Sequence, residues 1–284
     1  MPTLKEIKGR INSVKSTLKI TSAMKLVSSA KLRKAQVAIE AMRPYEQQLS
    51  RILSALPSGF ALPVSRIEVP DEVSPEEVVQ KPRVIIAMAS NSSLCGGFNS
   101  NIIAKVRSVR EPGDVVYSIG RKMAEAMRKD GFPSPVDLSG LSEHPAYGPS
   151  ARLVEQLMED LSEGRISEVL LVYSHFVSTA RQEPVVEPLV PKATAGATEA
   201  LPSDYIFEPS AEELFRLLFP KTLKLKLYAA LLDNAAAEHA ARTVAMQAAT
   251  DNGNDLLDEL TLQYNKGRQQ KITNEILDLA GGQL

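Results

Sequence analysis

Apolar positions follow a helical period at both ends of the chain and a strand-like pattern between them. Leu4, Ile7, Ile11, Val14 and Leu18 step by alternating three and four residues, the spacing of a coiled-coil seam rather than of a globular helix face. The seam is expected to continue less strictly through Met24, Val27, Lys31 and Ala35. Pro44 lies inside the pattern, where its ring removes a hydrogen bond to the Glu40 carbonyl, so a kink without an end is expected there. With Pro57-Ser58-Gly59 as the stop, this helix over 3–56 would be roughly 80 Å long.

The far end repeats the theme. From Lys221 to Gly282 there is no proline, and Ala, Leu, Lys, Gln and Glu dominate. One helix there would span about 90 Å, more than its own domain can cover. Between Ala229 and Ala249 ten of twenty-one positions are alanine, which lets another backbone approach closely. The last turns become apolar (Ile272, Ile276, Leu277, Leu279, Ala280) where a free end would be polar. Two such rods most simply wrap around each other antiparallel. The alternative is that each recruits a different chain.

Residues 57–81 are proline-rich and acidic, and read as a linker or irregular insertion. From Pro82 the period changes. Arg83–Ala89, Asp114–Gly120 and Ser167–His175 read as buried strands, and Asn99–Val109, Arg121–Asp130 and Tyr147–Glu163 as helices. Phe176–Pro191 looks like a further extended piece, followed by a small-residue loop over Ala193–Pro202. Tyr205–Pro209 leads into a short helix, Ala211–Phe219, and Pro220 is expected to start the final rod. The fold class is therefore α/β: a long antiparallel coiled coil of the N- and C-terminal helices, plus a mononucleotide-fold-like α/β domain with a mainly parallel sheet. The expected division is 1–56 and 209–284 for the coiled coil, 57–81 for the insertion and 82–208 for the α/β domain.

Composition narrows the function. A net charge of −1 over 284 residues argues against a nucleic-acid binder at the level of the whole chain. The charge is uneven, however. Residues 1–56 hold 11 Lys/Arg against 3 Asp/Glu, which suggests an acidic partner for the first helix or simply a solvated face. Cys95 is the single cysteine, so neither an intrachain disulfide nor a thiolate metal cluster is possible. His144, His175 and His239 stand far apart, and Glu238-His239 lacks a second histidine four residues on. The first residues carry no signal-type apolar core and no run of eighteen apolar residues occurs. A soluble protein made in the cytoplasm is expected.

The best candidate for chemistry is the loop Ser90–Asn99, after a strand and before a helix, where a mononucleotide fold would bind phosphate. Gly96 and Gly97 fit neither the dinucleotide nor the P-loop spacing, so a structural turn stands beside that reading. Cys95 has no His or Lys near it in sequence, and reads as a buried thiol rather than a nucleophile. Asp258-Glu259 reads as a solvated face. On these residues three classes stay open: a shaft without an active site, a nucleotide-dependent enzyme with a dimerisation arm, and a coiled-coil adaptor.

Both rods carry sequence of a known kind. Lys19–Gln36 (KITSAMKLVSSAKLRKAQ) and His239–Thr273 (HAARTVAMQAATDNGNDLLDELTLQYNKGRQQKIT) closely resemble the γ-subunit family of F-type ATP synthases, the central rotor shaft. Leu94–Asn99, Phe176–Pro184, Tyr205–Ser210 and Arg43-Pro44-Tyr45 add to the match, which runs nearly end to end. Asn91, Ser92 and Ser93 depart from the family's Asp, basic residue and Gly, and 57–81 is longer than in compact members. The paired regulatory cysteines of chloroplast members are absent, which excludes disulfide control.

The resemblance implies a shaft with no catalytic residue and no cofactor. Its apolar tip, with Ile272 and Ile276, would turn in a bearing at the top of a ring of three α and three β subunits. The α/β domain would sit below, joining the ε subunit and the membrane c-ring, peripheral to the cytoplasmic face of a bacterial plasma membrane. Lys19, Met24, Lys25 and Lys31 would face an acidic segment of β. Arg268, Gln269 and Thr273 would bond to loops of the ring, and Tyr205 and Glu208 would belong to the membrane-side base.

Overall fold

The computed structural model describes residues 3–55, 81–190 and 207–281. The expected insertion at 57–81, apart from Lys81, lies outside the described residues, as do the Ala193–Pro202 loop and Tyr205. The middle of the chain forms β1 (Val84–Met88), α2 (Phe98–Val109), β2 (Val115–Ile119), α3 (Arg121–Lys129), α4 (Ser139–Glu143), α5 (Tyr147–Ser162), β3 (Val169–Phe176) and β4 (Gln182–Pro188). It is flanked by α1 (Leu4–Ala55) and α6 (Ala211–Gly281).

The four strands lie in the order β2-β1-β3-β4. β1 pairs parallel with β2 and with β3, while β3 and β4 form an antiparallel hairpin. The extended piece expected after β3 is thus the antiparallel edge of the sheet. Because side chains alternate along a strand, each face collects its own core. Val84, Ile86, Met88, Ile119 and Leu171 meet Leu153, Val154, Leu157 and Leu161 of α5. Ile85, Ala87, Val116 and Val172 meet Phe98, Ile102 and Val106 of α2 and Met123 and Met127 of α3. The turn out of β2 requires glycine: Gly120 has φ +99°, and a Cβ there would stand 2.1 Å from the Ala89 carbonyl oxygen.

α1 and α6 contain 52 and 71 residues and pair antiparallel. Leu4 lies against Gly267 and Leu18 against Gly253. Thr21 meets Thr250 with hydroxyls 2.9 Å apart, the Lys25 ammonium donates to Gln247 Oε1 at 2.7 Å, and Leu32 and Ala35 pack on Ala236 and Ala240. Every step along α1 is matched by a step back along α6, so the register does not slip. α1 opens with a capping box, in which Thr3 Oγ1 accepts from the Glu6 N–H and Glu6 Oε2 accepts from the Thr3 N–H.

Two sequence expectations need correcting. The seam of α1 does not run through Val27 and Lys31, both exposed; it steps by three and four through Thr21, Lys25, Ser28, Leu32, Ala35, Ile39, Met42, Glu46 and Leu49, all buried or half-buried. Small polar residues hold core positions there because the Ala-rich partner comes too close for larger ones. Nor does Pro220 start a new helix, since α6 runs through it from Ala211. Proline in a helix interior costs about 3 kcal/mol. Phe219, Leu223 and Leu227 fill the sheet core on both sides of it, Phe215 and Phe219 stack at 5.0 Å, and fully burying such side chains is worth about 1.5–3 kcal/mol each. Burial wins. The short α4 was not expected at all, since prolines crowd that stretch (Pro133, Pro135, Pro145).

Gly120→Ala should lower the unfolding free energy by on the order of 3 kcal/mol, because it imposes both a left-handed backbone and a backbone clash. Denaturant titration of the purified chain checks this; a loss below about 0.5 kcal/mol would contradict the packing.

Candidate functional site

In an open α/β sheet the ligand crevice lies beyond the carboxyl ends of the strands, where the connections diverge. Here that place is between β1 and β3, and α6 runs across it. Residues 219–231 of α6 pack on one face of the sheet and Ala237 on the other. Between them Asn234 Oδ1 accepts from the Ser174 N–H at 3.1 Å and Asp233 Oδ1 from the Phe176 N–H at 3.0 Å. Asp233 also meets His175 Nδ1 at 2.5 Å. These strand-end N–H groups lie beyond the pairing with β1, and the helix supplies their acceptors. A backbone donor that a phosphate could use is already taken.

The loop after β1 is closed by its own side chains. Asn99 Nδ2 donates to Ser90 Oγ at 2.9 Å and to Cys95 Sγ at 3.2 Å, and the Ser90 N–H donates to Asn99 Oδ1 at 3.1 Å. Cys95 is buried. On the side facing the shaft, the Arg242 guanidinium donates to Ser92 Oγ at 2.9 Å and pairs with Glu238 at 2.6 Å. Of the two readings of this loop, the geometry is that of a structural turn fastened to α6.

The sequence-predicted residues fall into separate groups. Lys19 and Lys31 are exposed on α1, Met24 is half-buried, and Lys25 is held by Gln247. Beyond the Leu4–Gly267 contact α6 runs on without α1, and Arg268, Gln269, Ile272, Thr273, Ile276 and Leu277 are all exposed there. Ile276 and Leu277 show 60% and 61% of their surface. Thr273 Oγ1 donates back to the Gln269 carbonyl at 2.9 Å. Glu208 is exposed just before the other end of α6. The structure brings the tip residues together on one free helix end and keeps them apart from the lysines.

Sequence reasoning missed Asp233, Asn234, Gln247 and the Glu238–Arg242 pair. A signal existed for two of these: Asn234 is a polar interruption beside an alanine run, and Glu238 and Arg242 are four apart on one helix face. Nothing in the sequence announces that Ser174 and Phe176 need acceptors.

Among the described residues no group of His, Cys, Asp and Glu could hold a metal ion. Burial, helped by the charges of Arg242 and Lys31, lowers the His239 imidazole from its ordinary 6.5 to about 4. Burial also raises the Glu238 carboxyl against the pull of Arg242, and lowers the Lys226 ammonium. For His239 the unfolded chain takes up a proton near pH 6.5 that the folded chain refuses until about pH 4. Stability should therefore fall as pH drops through that window, and His239→Gln should flatten that part of the slope. Melting temperatures of both chains between pH 4 and 7 check this; parallel slopes would contradict a neutral buried ring. Asn234→Leu, which strands the Ser174 N–H, should cost about 1–3 kcal/mol in a denaturant titration.

A family model described as ATP synthase matches residues 3–283. The chain is 46% identical over 295 residues to an ATP synthase gamma chain of Phocaeicola vulgatus, covering 100% of both. It is 38% identical over 289 residues to one of Pelotomaculum thermopropionicum, covering 99% of this chain and 98% of that one. Among solved structures, a chain of the Euglena gracilis mitochondrial ATP synthase rotor in rotational state 1 gives a TM-score of 0.67 at 20% identity, over 95% of this chain and 98% of that one. A chain of the same enzyme's OSCP/F1/c-ring assembly in rotational state 3 gives 0.68 at 20% identity, over 98% and 93%. At that identity the likeness speaks for the fold. The chain belongs to the ATP synthase gamma chain family.

Proposed function

We propose that this chain is the central rotating stalk of an F-type ATP synthase, coupling proton-driven c-ring rotation to conformational change in the catalytic β subunits, with no active site of its own. One observation carries the reading. α6 outruns its partner helix and presents Ile272, Ile276 and Leu277 to solvent, an arrangement that only an enclosing partner makes favourable. Off-seam apolar residues along the shaft, such as Leu26 at 67% and Leu262 at 71% exposure, support an enclosing ring rather than open solvent. The capture of the nucleotide crevice by α6 weighs against the enzyme with a dimerisation arm, and the single intrachain register weighs against two arms seeking different chains.

On this reading the free end of α6 turns inside the ring of α and β subunits, with Arg268, Gln269 and Thr273 bonding to its loops. Lys19, Met24, Lys25 and Lys31 face the acidic lever of β. The sheet domain rests on the ε subunit and the c-ring at the cytoplasmic face of the membrane, a contact to which Tyr205 and Glu208 are assigned. No helix among the described residues is long and apolar enough to cross a membrane. Torque acts through differential contact: three identical β subunits meet different sides of the shaft, and each angle favours a different β conformation.

In the reconstituted complex, deleting residues from Ile272 onward should weaken assembly with the α/β ring at least tenfold while leaving the unfolding of the sheet domain unchanged. Equal damage to both would sink the bearing assignment. Reversing Lys19, Lys25 and Lys31 together should lower rotor-coupled ATP turnover, more at low salt than at high, because screening shrinks exposed charge pairs. Unchanged turnover at low salt would remove those lysines from the interface.

A further inference from the structure

α1 and the sheet domain do not close completely on each other. Beside the shaft, at the level of α4, lies a cavity of about 350 Å³ lined by Lys31, Lys34, Glu143, Tyr228 and His239. A second, of about 120 Å³, shares Lys31, Glu143 and His239 with it and adds Arg121, Arg242 and Ser92. A volume near 350 Å³ is at the small end of ligand pockets.

The lining is unbalanced. Across the two cavities together four cations (Lys31 in both, Lys34 in the larger, Arg121 and Arg242 in the smaller) stand against two carboxylates, Glu143 in both and Glu238 in the smaller. Glu238 is spent on Arg242 at 2.6 Å. Lys31, Lys34 and Arg121 make no ion pair among the described residues, although Lys31 lies close enough to act on Glu238 and Arg121 on Asp137. His239 lines both cavities, and its Nδ1, which is buried, has no hydrogen-bond partner.

We propose that this cavity is a binding site for a small phosphate-type oxyanion. The His239 ring lines it from α6, Lys31 and Lys34 close over it from α1, and Arg121 and Arg242 line the smaller cavity beside it. A multivalent anion suits the site better than a carboxylate, since it supplies an acceptor to each of these groups and offsets the repulsion from Glu143. Bound there, it ties α1 to the sheet domain at a level where the two elements otherwise meet across open space. The site goes beyond the rotor reading and needs no other subunit, but it shares Lys31 with the β contact of that reading, so the anion and β compete for that side chain.

Inorganic pyrophosphate titrated calorimetrically into the purified full-length chain at constant ionic strength and pH 7 is the probe. One saturable site per chain is expected, with the Lys31→Gln/Lys34→Gln variant at least tenfold weaker. The Lys5→Gln/Lys8→Gln variant, which removes the same charge from exposed positions further along α1, should bind as the parent does. The His239 ring nitrogens should shift in a ¹⁵N spectrum on saturation. Absence of saturable binding overturns the proposal. So does equal weakening by both lysine pairs, which would mark diffuse charge attraction, or saturation that leaves the His239 signals in place.

Discussion

Thr21 and Thr250 meet hydroxyl to hydroxyl at 2.9 Å partway along a seam in which Leu18 fills the notch at Gly253 and Leu4 the notch at Gly267. Everything else in the molecule is placed by that register. A leucine-only seam would bury more apolar surface but would accept a slip of one heptad at little cost. The Thr21–Thr250 pair in the seam and the exposed Lys25–Gln247 bond at its edge lose their partners in any other alignment. The glycines add a steric lock, since a Cβ at Gly253 would stand 2.7 Å from Leu18 and one at Gly267 3.1 Å from Leu4. The chain exchanges some stability for a single alignment.

A fixed register matters because α6 is also part of the sheet domain. It contributes Phe219, Leu223 and Leu227 to one core and Ala237 to the other, and Asp233 and Asn234 finish the hydrogen bonding of β3. Lys224 pairs with Glu155 on α5 at 2.6 Å, and Lys226 donates to the Pro188 carbonyl on β4 at 2.7 Å. No hinge separates shaft from head along this helix. A twist applied to the sheet domain passes into α6 through buried groups whose alternatives are unsatisfied, and from α6 into α1 through the seam. The same crossing places α6 over the crevice at the carboxyl ends of β1 and β3, where an open α/β sheet would hold a ligand.

Much of this was legible in the sequence. The three-four step from Leu4 to Leu18, the alanine run at Ala229–Ala249 and the apolar final turns gave the rods, their closeness and the free tip. The strands were legible because they are short apolar runs ended by turn residues. Where reading failed, a tertiary contact outweighed a local signal. Val27 looked like seam and Thr21 and Ser28 did not, because apolarity is a poor guide where the partner backbone approaches closely. Pro220 looked like a boundary because its local cost is plain, whereas the burial of Phe219 and Leu223 that outweighs it appears only in three dimensions. The roles of Asn234 and Arg242 were hidden for a different reason: their partners, Ser174 and Ser92, are 60 and 150 residues away in sequence.

The central claim is that α1 and α6 turn as one body in one register, and a Thr21→Cys/Thr250→Cys pair tests it most directly. In the assembled complex, oxidation should join the two helices within a single chain, and ATP-driven rotation should continue near the rate of the reduced form. Failure of the pair to join, or a joined shaft that stops turning and recovers on reduction, would show that the helices slide past each other, and the account would be wrong.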